Sequence, residues 1–284
     1  MGDPRDTSRA AAELTGSVRE AYDAAPQSWA AGPEPVYAAL AGALVAHVAA
    51  LLPGARVLDL GAGTGVAGRA ALAAGAAQVV AADLALAPLR QCWLQQGGLR
   101  QGGLGPGGAP LRPVVADAAA LPFRDQSFSV VLAAFSLTHA GSLGEALGQV
   151  RRVGGVLAAS AFAPGWGHPA KAAVDAVLAR FGYRAPAWYL TFKQDTEPRL
   201  SDARLVRELA LAAGYRRVES SLIAVPTGLS TPAQLAAWRL GMAHIAPFAG
   251  SLDAARQADL RRAAEEAVSV CEPLVVGIQV HVAS

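Results

Sequence analysis

The chain has 284 residues, 53% of them apolar, and a formal net charge of +2. That length and apolar content suffice for one large α/β domain with insertions, and the near-neutral balance excludes the clustered basic stripe of a nucleic-acid-binding surface. Arg151-Arg152, Arg216-Arg217 and Arg261-Arg262 are isolated pairs, as on a solvated face. Cys92 and Cys271 are too few for a disulfide framework and form no CxxC spacing, so no metal is expected and a reducing cytoplasm suits the chain. Residues 1–19 mix acids and bases without the apolar core of a signal peptide. The longest apolar stretch, 38–52, is too short to span a bilayer, so no membrane partner is expected either.

In chain order, residues 9–31 are predicted as a helix that breaks at Gly32-Pro33-Glu34-Pro35. A strongly apolar helix follows over 36–52 and ends at Pro53-Gly54. Strand 1 is placed at 56–60 with a helix over 65–74, and strand 2 at 78–83 with a helix over 86–96. Residues 97–110 form a glycine-rich, flexible loop in which no chemistry is legible. Strand 3 is placed at 112–116, strand 4 at 129–134, a helix at 143–152 and strand 5 at 155–162. The alternation of β-branched runs with helical stretches argues for a parallel sheet covered on both faces.

Beyond strand 5 a helix is expected over 168–181, then an irregular, proline- and aromatic-containing segment over 183–200. A helix over 201–213 is capped by Ser201 with Asp202 and finished by Gly214. Strand 6 is placed at 216–225 and the next extended run at 273–282, with helices over 232–245 and 253–271 between them. An insertion of that length is not a bare loop.

The most informative stretch is Val57-Leu58-Asp59-Leu60-Gly61-Ala62-Gly63-Thr64-Gly65. It reads as a buried strand, a glycine turn that lets a ligand approach the backbone, and a helix start whose N–H groups are unpaired. Gly63-Thr64-Gly65-Val66-Ala67-Gly68 matches G-x-G-x-x-G, and Asp83 ends the next apolar run, so the formal pattern admits a dinucleotide. Asp59 beside the turn argues otherwise, because a carboxylate repels a pyrophosphate and attracts a cationic head group. S-adenosylmethionine, with an ammonium, a sulfonium, a ribose and no phosphate, fits both acids.

Val57 to Gly65 resembles motif I of the class I S-adenosylmethionine-dependent methyltransferases, and Asp83 matches the acid at the end of their second strand. Val115-Ala116-Asp117-Ala118-Ala119-Ala120-Leu121-Pro122-Phe123 resembles the family's adenine-contacting segment. Ser127-Phe128-Ser129-Val130-Val131-Leu132-Ala133-Ala134-Phe135-Ser136-Leu137-Thr138-His139 resembles its fourth strand and active-site edge. The landmarks fall in the correct order over residues 57–139. The spacing is most similar to the branch of ubiquinone- and menaquinone-biosynthesis and other small-molecule methyltransferases, although Ser129 stands where that branch commonly has Asp.

The resemblance implies a Rossmann-like, seven-stranded, mostly parallel sheet with helices on both faces. Residues 55–225 with 273–284 would be the core, and 1–54 and 226–272 a helical lid over the carboxyl edge of the sheet. It implies that Gly61, Ala62, Gly63 and Gly65 line the methionine and ribose, with Leu84 and Ala134 beside the cofactor. Asp83 would take both ribose hydroxyls, as a carboxylate can accept two hydrogen bonds. Asp117 would accept from the adenine amino group, with Ala118 nearby, and Asp59 would favour the ammonium. Tyr22 and Trp29, of an N-terminal Tyr-then-Trp helix common in the branch, would close over the cofactor, where a ring face attracts a sulfonium.

Methyl transfer from a sulfonium chiefly requires alignment of the nucleophile and exclusion of water. A proton on an O or N nucleophile calls for a base, and His139, at the active-site edge, is the first candidate, followed by His244. His168, before a proline, is expected to cap a helix, and His47 to be structural. Trp29, Trp166, Trp188, Tyr189, Trp238 and Met242 are the candidates for an apolar acceptor pocket.

The expected activity is methyl transfer to a C, N or O atom of a small, largely apolar metabolite in specialised biosynthesis, with a possible homo-oligomer. Phe135-Ser136-Leu137-Thr138 stands where base-modifying relatives carry an Asn-Pro-Pro-Tyr type sequence, which disfavours nucleic acid. An S-adenosylmethionine-binding cyclase that no longer transfers methyl, and a nicotinamide-dependent oxidoreductase, are the competing enzyme classes.

Overall fold

The computed structural model of the protein describes residues 4–95 and 111–284. The glycine-rich loop expected over 97–110 lies outside the described residues. Seven strands form one sheet: β1 (Arg56–Leu60), β2 (Gln78–Asp83), β3 (Leu111–Val115), β4 (Phe128–Ala134), β5 (Gly154–Phe162), β6 (Val218–Pro226) and β7 (Val275–Ala283). Their order is β3-β2-β1-β4-β5-β7-β6. β1 to β5 are parallel, and β7 inserts antiparallel between β5 and β6, with Ser160 opposite Val280 and Ile223 opposite Ile278. The order reverses between β1 and β4, and in open α/β sheets the crevice at such a switch point takes the ligand.

The interior strands are almost continuously apolar because both faces are covered. Val57 of β1 joins the cluster on one face, and Leu58 and Leu60 that on the other. The first face is packed by α3 (Pro33–His47), α4 (Val66–Ala73), α5 (Leu86–Gln95), α7 (Pro169–Arg180), α11 (Pro232–Leu240) and α13 (Ala254–Ala267). The second is packed by α6 (Leu143–Val153) and α10 (Ala203–Ala212).

The N-terminal helix expected over 9–31 is two: α1 (Pro4–Ala24) and α2 (Pro26–Ala31). The residue before a proline is pushed out of the helical region, and Ala25 lies at φ −144° and ψ 49°. α3, grouped above with the lid, lies on the sheet: Leu40, Ala41 and Leu44 are fully buried, and the helix contacts β4 and β5.

The segment expected to be irregular, 183–200, is helical through most of its length. α8 (Ala187–Thr191) continues through a π-turn (Phe192–Thr196) into α9 (Glu197–Ser201). Burial of Phe192 and Leu200 overrides the weak local signal, and Pro198 sits in the first turn of α9, where its missing N–H costs nothing. Asp202, rather than Ser201, caps α10, accepting from the N–H groups of Arg204 and Leu205. Ser201 Oγ instead donates to the carbonyl of Phe162.

The insertion 226–272 carries three helices, not two. α11 stops at Leu240 before Gly241, α12 (Ala246–Ser251) follows, and α13 ends at Ala267. α11 packs on α2, α3, α7 and α13. No helix among the described residues is long and apolar enough to cross a membrane.

Candidate active site

The cleft at the switch point is made by the ends of β1, β2 and β4. After Leu60 the chain turns through Gly61, whose φ is +67° and whose added Cβ would lie 2.1 Å from Cβ of Ser136. A side chain there is excluded twice, by backbone conformation and by the loop after β4. Ser136 Oγ closes the contact by donating to the Leu60 carbonyl at 2.6 Å.

Asp83, at the end of β2, receives the Gly63 N–H on Oδ2 at 2.7 Å and the Ala85 N–H on Oδ1 at 2.8 Å. Each oxygen keeps a lone-pair direction for a ligand hydroxyl. Burial raises the Asp83 carboxyl above its usual range, and the N–H groups of Ala85 and Gly63 oppose that rise. Asp59 is 1% exposed and accepts from the Gly68 N–H at 2.7 Å. Burial pushes its carboxyl up to about 7, opposed by that hydrogen bond and reinforced by Asp83. Two acids sharing one cleft favour a cationic guest. Asp117 is exposed at the rim, where its Oδ1 accepts from the Ala119 N–H at 2.9 Å in a tight turn.

Gly61, Ala62, Gly63, Leu84, Ala118 and Ala134 line this cleft together with Asp59, Asp83, Asp117 and Tyr22. Gly65 does not. Its φ is +83°, it precedes α4, and an added Cβ would meet Cys92 Sγ at 2.4 Å. It serves the packing of α4 on α5, and Thr64 and Val66 line the cleft in its place. Trp29, expected above both over the cofactor and in the acceptor pocket, lines this cleft and not the second cavity described next, with its ring 5.4 Å from that of Tyr22.

A second cavity adjoins the first. Trp166, Trp188, Tyr189, Trp238, Met242 and His244 line it. Tyr22, Tyr37, Phe135 and His139 line both cavities and so form their shared wall. Phe135 holds a left-handed φ of +58°, uncommon for a bulky residue. That conformation directs the chain from β4 into the turn carrying His139, and such outliers persist where surrounding structure over-determines them.

The His139 ring stacks on Phe192 at 4.5 Å, and its Nε2 shares a hydrogen bond with the Tyr22 hydroxyl at 3.3 Å. Its Nδ1 is buried with no hydrogen-bond partner among the described residues. Burial pushes the imidazole down to about 4, so it is neutral at physiological pH. His244 lies in the turn after α11 rather than on that helix, with its ring stacked 3.5 Å from Tyr189. Burial, with Arg239, Lys171 and Lys193 nearby, holds it down near 2. His168 caps α7, and the exposed His47 bridges Ala43 and Ser221. The buried His281 bridges Leu200 and Ser220.

Sequence reasoning missed Tyr37, Phe135, Phe192, Lys171 and Arg239 as parts of the second cavity. One signal was available. The chain has only two lysines, Lys171 and Lys193, and both line it.

A family model described as a methyltransferase domain matches residues 58–159. A search of curated proteins finds no sequence relative. Among solved structures, one from Anabaena variabilis, assigned as a methyltransferase from an antibiotic biosynthesis pathway, is 16% identical with a TM-score of 0.54. The alignment covers 85% of this chain and 96% of that one. A protein of Bacillus halodurans assigned as a methyltransferase is 17% identical at a TM-score of 0.50, covering 85% of this chain and 97% of the other. The YcgJ protein of Bacillus subtilis is 15% identical at 0.50, covering 86% and 97%. At these identities the structures establish the shared fold.

The matched domain makes the protein an S-adenosylmethionine-dependent methyltransferase, and its sheet has the Rossmann-like order. Its cofactor is S-adenosylmethionine, for which the cleft offers Asp59, Asp83 and Asp117 with the glycine turn of Gly61 and Gly63.

Proposed function

We propose that the protein methylates a small, largely apolar metabolite that occupies the second cavity, with the cofactor in the first. The observation that carries this reading is the shared wall of Tyr22, Tyr37, Phe135 and His139. A methyl donor and an acceptor must meet across a short, dry gap, and a wall common to both compartments marks where such a gap lies.

S-adenosylmethionine supplies an electrophilic methyl group on an excellent leaving group. The protein's own residues bind, orient and exclude water. Asp83 holds the ribose, Asp59 the ammonium side and Asp117 the adenine edge. The face of Tyr22 covers the cleft, and α1, α2 and the insertion serve as the lid. The aromatic rings of the second cavity exclude water from the acceptor, and neutral His139 receives a proton on Nδ1 where the nucleophile carries one. The low basicity of His139 suits an acceptor that is already acidic or needs no deprotonation.

The composition of the cavity, dominated by aromatic rings, supports a small molecule of specialised biosynthesis over a macromolecule. It also suits the branch that includes ubiquinone- and menaquinone-biosynthesis enzymes. Cytoplasmic residence and a possible homo-oligomer belong to the same reading. One observation favours a second reading, a cofactor-binding cyclase: both histidines of the cavity are held far below the range of an effective base.

Release of S-adenosylhomocysteine from S-adenosylmethionine separates these readings. A panel of small phenols, acids and amines, beside total RNA and histone peptides, is expected to give turnover with small molecules. Turnover on RNA or peptides alone would sink the proposal. Consumption of an acceptor without release of S-adenosylhomocysteine would establish the cyclase.

A further inference from the structure

We propose that the acceptor is an organic acid, recognised in the second cavity by its carboxylate or a comparably acidic group seated against Lys171. This rests on the reading of that cavity as the acceptor site and names the chemical class that it takes.

The chain carries 24 Lys and Arg residues, yet only two are lysines, and both face this cavity. Elsewhere its cations are arginines. Lysine is a compact point charge on a flexible stem, suited to meeting an anion without a fixed fork geometry. The two lysines are not equivalent. Lys193 is paired with Glu197 one helical turn on. Arg239 on α11, 2% exposed, is paired with Asp175 at 2.8 Å, and its Nε is buried without a hydrogen-bond partner among the described residues.

Lys171 has no carboxylate partner among the described residues. Its ammonium lies over two rings, 5.2 Å from the centroid of Trp166 and 5.9 Å from that of Phe162. The cavity wall thus holds Lys171, Lys193 and Arg239 against the single carboxylate of Glu197. A half-buried cation in an aromatic setting, repelled by two neighbouring cations, leaves an electrostatic demand that a guest anion meets. The Lys171 amine reflects that demand: burial, then Lys193 and Arg239, push it down to about 8, against the pull of Glu197 and Asp175. It remains largely protonated at neutral pH. The rings supply the apolar surface for the body of the ligand, and the arrangement selects an apolar acid over its neutral isostere.

The test uses the full chain saturated with S-adenosylhomocysteine. 2-Naphthoate and the uncharged 2-naphthamide are titrated calorimetrically at neutral pH into the native protein, Lys171→Met and Lys171→Arg. The native protein is expected to prefer the carboxylate by about tenfold. Lys171→Met loses that preference while its naphthamide affinity is unchanged, and Lys171→Arg restores it. Equal affinities in the native protein, or a preference that survives Lys171→Met, would overturn the proposal and leave the acceptor cavity standing. Failure of both ligands to bind while S-adenosylhomocysteine still binds would overturn the acceptor-site reading, and this proposal with it.

Discussion

The Tyr22 hydroxyl lies 3.3 Å from His139 Nε2, joining α1 to the turn after β4 across the wall between the two cavities. The bond holds one ring nitrogen, and the Phe192 stack fixes the ring plane. His139→Ala is therefore expected to lower kcat by about 100-fold where the acceptor loses a proton. Affinity for S-adenosylhomocysteine, measured by calorimetry, should fall far less. Equal losses in both would instead make His139 a cofactor-site residue.

Asp83 carries the cofactor reading. Its two oxygens each accept a backbone N–H and face the cleft. Charge-assisted bonds to two ribose hydroxyls are worth about 1.5–3 kcal/mol each. Asp83→Ala should thus weaken S-adenosylhomocysteine by roughly 100-fold or more. Far-UV circular dichroism should remain native. Unchanged affinity would remove Asp83 from the site.

Asp59 predicts a pH dependence. Burial raises its folded-state carboxyl from 3.8 to about 7, above its unfolded value. The associated stability is fully present below the unfolded value and is lost as pH rises through about 7. A cofactor ammonium reverses the preference by favouring the ionised carboxylate. Affinity for S-adenosylhomocysteine should therefore rise with pH around neutrality in the native protein. Calorimetry across that range should give a flat profile in Asp59→Asn; a native-like slope there would assign the titration to another group.

The N-terminal helices and the insertion meet through missing side chains. A Cβ on Gly32 would lie 2.1 Å from the Ala237 carbonyl oxygen of α11, in a backbone contact that cannot relax cheaply. Gly32→Ala is expected to cost about 2 kcal/mol or more. Gly42, in the middle of α3, has nothing within 4 Å of an added Cβ. Gly42→Ala should be neutral or stabilising by up to about 1 kcal/mol. Thermal unfolding of the two variants, run side by side, checks the contrast, and a neutral Gly32→Ala would show that the helices do not depend on this contact.

Much of the cofactor side is legible in the sequence, because it is local. Val57 to Gly63 run from β1 into its turn, Asp83 ends β2 and Asp117 comes two residues after β3, and a parallel sheet brings such strand ends to one edge. Gly65 lies off the cleft lining, because a motif position does not say which way a residue faces. At φ +83° it turns from the cleft toward Cys92. The helices within 183–200 are not legible locally because proline and aromatic residues carry weak helix signals, whereas burial of Phe192 and Leu200 stabilises the helical form.

By itself the sequence determined the sheet, its cofactor turn and the acids around it, since periodicity and short motifs encode structure over a few residues. Tertiary structure alone decided that Tyr22 of α1 meets His139 after β4, and that Lys171 of α7, Lys193 of the π-turn and Arg239 of α11 line one cavity. Those groups lie far apart along the chain. Side-chain burial and packing bring them together, and no local pattern records that proximity.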